Sequence, residues 1–330
     1  MGVEIIRAGI LTTIQDLGRY GYQKFGLNIN GAMDEGAARV ANILVGNDEK
    51  DAVLELTLTG ASIKMNADHL IAICGGDMSA TMNGQSIPMW QPFIASKDAV
   101  INFNHYKNGC RVYIAIAGGI AIPAVLGSYS TNLRATIGGY EGRALRNGEI
   151  IEVSDMRSQS CSMGLWQKLQ TGDTRAFNAQ HFGMAHEDSI KIRFIAGPEY
   201  EWLDEVNKQK FTQSKWFIDA QSDRMGYRLQ GPSLEMISKQ ELITEGVVHG
   251  TVQLPANGQP IVLLSDRQTT GGYPRIAVVA AVDIPIFGQL KPGSTITFTA
   301  ITIEEAEQLL FESEQDIKRL KIAIQLKSKQ

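Results

Sequence analysis

Residues 257–275 read NGQPIVLLSDRQTTGGYPR, and this stretch indicates the fold class of the chain. The apolar run Ile261–Leu264 predicts a buried strand, and a second apolar run, Ile276–Val282, predicts another strand after the loop. The loop between them contains Gly271 and Gly272, which let the backbone bend where other residues would be strained. Short strands joined by a polar, glycine-containing loop are typical of a β protein.

The same pattern recurs along the chain and predicts a mainly β protein. Short apolar runs alternate with turns rich in Gly, Asn and Pro, a rhythm that favours barrels or sandwiches. The other predicted strands are Ser62–Met65, His69–Cys74, Ala99–Phe103, Val112–Ala117, Glu149–Val153, Ile190–Ile195 and Thr295–Thr299. Helices are predicted at Asp34–Leu44, at Tyr200–Asn207, and from Ile303 onward, where apolar residues recur at helical spacing.

Two parts of the chain echo each other in the same order, which predicts two similar β domains in tandem. Residues 108–119 run from Asn-Gly through an apolar strand to Gly-Gly, and residues 257–272 do the same. We therefore predict a first β domain at residues 1–155 and a second, with the terminal helix, at residues 190–330. The connecting segment, residues 156–189, contains several Ser and Gln residues and few apolar runs.

Composition excludes several classes of function. The chain has 330 residues, with 31 basic against 35 acidic side chains and a net charge of -4, so neither nucleic acid nor a membrane is an expected partner. Its three cysteines are far apart and suggest neither a zinc site nor a disulfide framework. No metal site is predicted. Without the features of a signal peptide, the chain is expected in the cytoplasm.

The loop after Ile261–Leu264 is the first candidate site. Gln268, Thr269 and Thr270 supply uncharged hydrogen bonds of both kinds, and Arg267 and Arg275 can grip a carboxylate. The alternative is a structural turn in which Asp266 and the threonines only cap their own backbone. P-loop, GxSxG and HExxH motifs are absent from the sequence.

Other charged clusters lie in glycine-flanked turns. Asp16 and Arg19 form one, Arg143 belongs to a second, and Arg224 to a third. Arginine suits planar recognition of carboxylate or phosphate, but each of these arginines can equally pair with an acidic residue across its turn. His249 is the histidine nearest the loop and a candidate general base.

Several long motifs resemble one family. They are LTTIQDLGR at residues 11–19, GAMD at 31–34, AGGI at 117–120, GGYEGRAL at 138–145, SDRMG at 222–226 and QTTGGYPR at 268–275. Together they resemble the KipA-type family, whose members are also called the C subunit of 5-oxoprolinase, allophanate hydrolase subunit 2 or biotin-dependent carboxyltransferase-like protein. The resemblance extends from the first ten residues to about residue 300, so the terminal helix lies outside it.

The resemblance implies a mainly β fold of two tandem cyclophilin-like β-barrel domains, with a few short helices and a C-terminal helix. It implies two partners, a KipI-type protein (the B subunit) and a LamB/YcsF-type protein (the A subunit). The complex would hydrolyse 5-oxo-L-proline to L-glutamate with ATP, and this chain would be inactive alone. The alternatives are a carboxyltransferase half that uses biotin, as in urea carboxylase, and a regulator that antagonises a KipI-type kinase inhibitor.

From the same resemblance we expect the substrate pocket in the central loop. Its expected lining is Gln268, Thr269, Thr270, Gly271, Gly272 and Tyr273, with Asp16, Arg19, Arg143, Arg224 and Arg275 nearby. His249, Asp266 and Arg267 rank after these residues. The general base is not assigned.

Overall fold

The computed structural model describes residues 2–172, 178–183, 190–237 and 242–329. The chain divides into two compact units, and neither unit is continuous in sequence. Unit 1 comprises Met1–Arg19, Asn30–Ala185 and Gln315–Gln330, whereas unit 2 comprises Tyr20–Ile29 and His186–Glu314. The domain boundaries that the sequence suggests, at residues 155 and 190, stay a prediction.

Unit 1 is built on two β-sheets. Its strands are β1 (Gly2–Ala8), β2 (Leu11–Gln15), β3 (Val53–Thr57), β4 (Ala61–Met65), β5 (His69–Asp77), β6 (Ala80–Met82), β7 (Gln85–Ser86), β8 (Pro92–Ala95), β9 (Val100–Phe103), β10 (Asn108–Ile116) and β11 (Glu149–Glu152). A six-stranded sheet has the order β11-β1-β4-β9-β6-β7, and a five-stranded sheet has the order β2-β3-β10-β5-β8.

The five-stranded sheet is buried on both faces, which explains its nearly continuous apolar runs. On strand β5, Ile71 and Ile73 join a core that also contains side chains of the six-stranded sheet. Leu70 and Ala72 point the other way, because successive side chains alternate along a strand, and join the core around helix α1 (Glu35–Val45). Both faces therefore contribute to the stability of unit 1.

Two helices of unit 1 differ in how strongly the sequence predicts them. Helix α1 begins where the carboxylate of Asp34 accepts a hydrogen bond from the amide of Ala37 at 2.9 Å, and it ends at Gly46. Helix α2 (Ser160–Gln170) lies in the segment that the sequence marked as a connection. It buries only Ser162 and Leu165, which is too small an apolar face to give a clear periodic signal.

Unit 2 is a closed barrel of seven strands in the order β12-β19-β16-β17-β14-β13-β20. The strands of unit 2 are β12 (Ile190–Ala196), β13 (Trp216–Ile218), β14 (Gly226–Gln230), β15 (Glu245–Gly246), β16 (Thr251–Gln253), β17 (Ile261–Leu263), β18 (Thr270–Gly271), β19 (Arg275–Val279) and β20 (Thr295–Ala300). The parallel pairing of β12 with β20 completes the barrel, while β15 and β18 form a separate two-stranded ribbon.

Aromatic side chains fill one end of the unit 2 core. Phe211 stacks on Phe298 with ring centroids 4.5 Å apart and meets Phe194 edge-on at 5.1 Å. Phe211 belongs to helix α3 (Glu205–Gln213), which the carboxylate of Asp204 caps. The helix predicted at Tyr200–Asn207 is therefore wrong at its start, because a short 3₁₀ turn precedes this cap.

The remaining helices are short except for the last. Helix α4 is Ile284–Gln289, α5 is Ile303–Lys329, and 3₁₀ turns occur at Gln23–Phe25, Met156–Ser158, Gln180–Phe182, Tyr200–Trp202 and Ala281–Asp283. The predicted mainly β fold with a C-terminal helix is confirmed, and every predicted strand overlaps an observed one. Among the described residues, no helix is both long enough and apolar enough to cross a membrane.

Candidate functional site

The central loop, defined as residues 264–275, connects β17 to β19 in unit 2. Its first part is buried, since Asp266 and Arg267 are each only 8% exposed. Its second part runs at the surface, where Thr270–Gly271 pairs antiparallel with Glu245–Gly246 of β15. The loop therefore has a fixed start and an accessible end.

An ion pair fixes the start of the loop. Arg224 donates two hydrogen bonds to the carboxylate of Asp266, from Nε at 3.0 Å and from Nη2 at 3.2 Å. The backbone N–H of Asp266 also donates to the carbonyl of Arg224 at 2.8 Å. Because both side chains are nearly buried, the pair is much less screened by water than a surface pair. The guanidinium of Arg224 thus positions the loop from the turn before β14.

The uncharged side chains of the loop remain available to a ligand. Gln268 and Thr269 are partly exposed and Thr270 is exposed. Within the described part of the chain, no hydrogen bond of these three side chains is present, although the carbonyl of Thr269 accepts one from the backbone of Val247. An amide and two hydroxyls with unused donors and acceptors can bind a small polar molecule of either hydrogen-bonding type.

His249 lies in the turn that enters β16, close to the buried start of the loop. Its Nε2 is enclosed and has no hydrogen-bond partner among the described residues. Burial is the main cause that lowers the pKa of His249 to about 3, and the positive charges of Arg267 and Arg224 add to it. The imidazole is therefore neutral near pH 7, and a group with so low a pKa is a weak general base.

Gln253 is a second buried polar residue beside the loop, and sequence reasoning missed it. It lies at the end of β16 and is 1% exposed, and its Nε2 has no hydrogen-bond partner in the ranges that the structure describes. Gly271 lies directly against this amide, because a Cβ on Gly271 would be 2.4 Å from Nε2. A glutamine between the buried residues Val252 and Leu254 was the available signal in the sequence.

Arg275, at the end of the loop, is occupied by two carboxylates. Its Nε and Nη2 donate to Glu199 at 3.0 Å and 2.8 Å, and its Nη1 lies 2.6 Å from Glu245. The hydrogen bonds with Glu199 raise the pKa of Arg275, since they stabilise its charged form. Tyr273, by contrast, is 51% exposed. Arg275 thus ties the loop to the barrel, and Tyr273 presents a ring to solvent.

In unit 1, Asp16 and Arg19 organise the same neighbouring loop. The carboxylate of Asp16 accepts hydrogen bonds from the hydroxyls of Ser128 and Ser130, while Arg19 Nη2 donates to the carbonyl of Ser130 at 2.9 Å. Burial lowers the pKa of Arg19, which is fully enclosed. Gly138 is required here, because a Cβ would lie 2.5 Å from Arg19 Nη2. Both charged groups have partners within unit 1.

Arg143 follows the glycine-rich turn and is also paired. Its Nη2 lies 2.6 Å from Glu141 and 2.7 Å from Glu149, and these hydrogen bonds raise the pKa of Arg143. Its guanidinium also lies over the ring of Tyr140, 5.2 Å from the centroid. Of the candidates, Arg143, Arg224 and Arg275 therefore each have carboxylate partners. Their assignment to a substrate pocket stays a prediction.

Comparison with known protein families places the protein in a class. Residues 25–300 match the family described as "Carboxyltransferase domain, subdomain A and B", and the chain belongs to this family. The matched range includes the whole barrel and the central loop. Helix α5 lies beyond it.

Relatives of known name match nearly the whole chain. The chain is 37% identical over 304 residues to a protein of Escherichia coli named as the C subunit of 5-oxoprolinase. The match covers 92% of this chain and 93% of that protein. It is 31% identical to the "Urea amidolyase" of Saccharomyces cerevisiae over 96% of this chain but only 18% of the yeast protein. The family resemblance that the sequence motifs suggested is confirmed.

A solved structure shares the fold. The urea amidolyase of Kluyveromyces lactis superposes with a TM-score of 0.84 at 27% identity, over 97% of this chain and 20% of that chain. The chain is thus similar both to a separate subunit in bacteria and to one part of much longer fungal proteins.

Proposed function

We propose that this chain is the C subunit of an ATP-dependent 5-oxoprolinase that hydrolyses 5-oxo-L-proline to L-glutamate. The observation that carries the proposal is the 37% identity with a protein named for that subunit, which covers more than nine-tenths of both chains. The urea amidolyase match, by comparison, spans 18% of its relative.

As one subunit of a complex, the chain requires partners. We propose a KipI-type protein as the B subunit, with a LamB/YcsF-type protein as the A subunit, in a complex that is located in the cytoplasm. We propose that this chain is inactive alone. Cys74, Cys110 and Cys161 form no disulfide with one another, which supports a reducing compartment.

The chemistry proposed for the complex begins with a poor electrophile. A lactam resists attack by water, and transfer of a phosphoryl group to its oxygen would make the ring carbon reactive. Among the described residues, the side chains of Gln268, Thr269 and Thr270 have no hydrogen-bond partner, so their donors and acceptors suit the lactam amide. Their placement beside the Gly271–Gly272 backbone supports a substrate pocket there. Charged residues of the loop position it, and the uncharged ones contact the substrate.

The paired arginines of this chain are poorly suited to hold the phosphates of ATP. Arg143, Arg224 and Arg275 each already contact one or two carboxylates, and an ATP phosphate would have to displace them. We therefore propose that ATP is a cosubstrate of the complex whose phosphates are bound largely by another protein of the assembly. This assignment also accounts for the missing P-loop.

The proposal is tested by glutamate release from 5-oxo-L-proline and ATP, with the chain co-purified with both partners and each protein omitted in turn. Turnover that requires this chain is the expected result. Gln268→Ala and Thr270→Ala are expected to abolish turnover and to change stability by less than ~0.5 kcal/mol, because neither side chain has a partner to lose among the described residues. Gln209→Ala, at an exposed glutamine of α3, is the matched control with unchanged turnover. Full activity of the loop variants would contradict the placement of the site.

Biotin-dependent carboxyl transfer is the second candidate function. The family description and the urea amidolyase relatives favour it, and biotin would then have to be carried by another protein. A stable complex without 5-oxoprolinase turnover, which transfers a carboxyl group from carboxybiotin, would establish this candidate. A stable complex without either activity would favour a regulatory role toward the KipI-type partner.

A further inference from the structure

Gln253 is an unusual residue for the wall of a small barrel. Its neighbours Val252 and Leu254 are fully buried, and Leu or Met would fill the same space. The amide Nε2 is enclosed and makes no hydrogen bond within the described residues. A buried donor without a partner destabilises the folded state, so such a group needs an explanation beyond packing.

The amide lies beneath the ribbon of β15 and β18. Gly271 of β18 contacts it directly, since the smallest side chain at this position would collide with Nε2. The ribbon consists of two residues from each strand, and Glu245, Gly246 and Thr270 are exposed. Lifting the ribbon leaves its own ladder intact and breaks the ion pair between Glu245 and Arg275, which joins it to the barrel at 2.6 Å. Because Glu245 is 57% exposed, this pair is weak and the ribbon can lift from the amide at small cost.

The charges around Gln253 favour a neutral ligand. Gln253 is the cross-strand partner of Arg275, whose guanidinium is shared between the carboxylates of Glu199 and Glu245. Glu245 moves away with the ribbon, but Glu199 still neutralises the guanidinium of Arg275, so no net positive charge is left to attract a carboxylate or phosphate here. A carbonyl oxygen accepts a hydrogen bond from the amide without bringing a charge.

We propose that Gln253 is a substrate-binding residue whose Nε2 donates a hydrogen bond to the carbonyl oxygen of a cyclic amide when the ribbon lifts. This inference rests on the proposed function and specifies which part of the substrate lies here: the lactam carbonyl, not the carboxylate. Gly271 then has two roles. It leaves room for the amide, and its backbone lies over the ligand.

The test is Gln253→Met in the complex with both partners, assayed with 5-oxo-L-proline and ATP. Methionine keeps the volume and removes the donor. We expect the KM for 5-oxo-L-proline to rise about tenfold, equivalent to about 1.4 kcal/mol of lost binding. The unfolding temperature of the free variant is expected to stay the same or to rise, because the enclosed donor is gone.

Gln259→Met is the matched control. Its amide donates to the carbonyl of Gly231 at 3.2 Å and accepts from the Gly231 amide at 2.9 Å. This variant loses satisfied bonds, so its unfolding temperature is expected to fall while the KM stays unchanged.

Three results would overturn the inference. An unchanged KM in Gln253→Met, with an active wild-type complex, would refute the binding role and leave the proposed function intact. An unfolding temperature that falls as far as in Gln259→Met would reveal a structural role for the amide. A wild-type complex without turnover would refute the proposed function itself, and with it the lactam as the ligand of Gln253.

Discussion

The ion pair between Arg224 and Asp266 leads to a quantitative prediction about the candidate site. Asp266→Asn preserves the shape of the side chain and removes its charge. The guanidinium of Arg224, whose side chain is 7% exposed, then keeps its positive charge in a nearly buried position and loses the negative charge of Asp266 beside it. We expect the start of the central loop to loosen and unit 2 to lose stability.

The magnitude follows from the burial of both partners. Removing one partner of a buried pair costs about 3–5 kcal/mol, and asparagine retains one acceptor, so we expect roughly 3 kcal/mol. For a domain of intermediate size, each kcal/mol of lost unfolding free energy lowers the unfolding temperature by roughly 4 °C. The unfolding temperature of unit 2 is therefore expected to fall by about 12 °C. The pair of substitutions Arg224→Met and Asp266→Leu removes both charges and is expected to restore most of this loss.

Thermal unfolding followed by circular dichroism measures the effect for the single and the double variant. A loss below about 1 kcal/mol for Asp266→Asn would mean that Arg224 behaves like a surface residue, and the reasoning would fail. A double variant as unstable as the single one would also refute it, because the cost would then not come from a buried guanidinium that has lost the charge of Asp266.

Three further predictions concern other parts of the chain. Since His249 has a pKa of about 3 in the folded protein and about 6.5 when unfolded, its contribution to stability is complete above pH 6.5 and is lost toward pH 3, by roughly 1.4 kcal/mol per pH unit. Urea unfolding at about pH 5.5 and about pH 4.5, both between the two pKa values, should show this slope in the wild type and a weaker one in His249→Leu; equal slopes would contradict it. Asp16→Asn is expected to lower the free energy of unfolding by roughly 2–3 kcal/mol, because two serine hydroxyls lose a charged acceptor, and an unchanged urea midpoint would count against this. Gly271→Ala brings a Cβ within 2.4 Å of Gln253 Nε2, the far end of a side chain that can shift, so unit 2 should lose only about 1 kcal/mol, and a much larger fall in the urea midpoint would contradict this.

Strands and helices were predicted well from the sequence where the signal lies within the element itself. Apolar runs such as Ile190–Ile195 are local signals, and the strands appear where they indicate them. Asp34 predicts the start of helix α1, because a capping carboxylate is adjacent in sequence to the helix that it caps. Helix α2 was missed because it buries little and depends on its surroundings in unit 1.

The candidate site was less predictable because its charged residues find partners far away in sequence. Glu199 reaches Arg275 across 76 positions, and no spacing rule connects the two. Each arginine alone reads equally well as a ligand-binding group or as a structural one. Gln253 belongs to no recognised sequence motif. It is distinguished only by its burial in the barrel and by its Nε2, which has no hydrogen-bond partner among the described residues. The uncharged residues Gln268, Thr269 and Thr270 are a local signal, and their role in binding stays a prediction.

Helix α5 has a consequence for the order in which the protein is made. Its residues from Gln315 onward belong to unit 1, where Ile317 and Ile324 are buried in the core beside helix α1. A ribosome delivers these two isoleucines only after every strand of the barrel has been synthesised. The unit that contains the first strand is therefore completed last, and part of its core stays open until Ile317 and Ile324 have left the ribosome and packed beside helix α1.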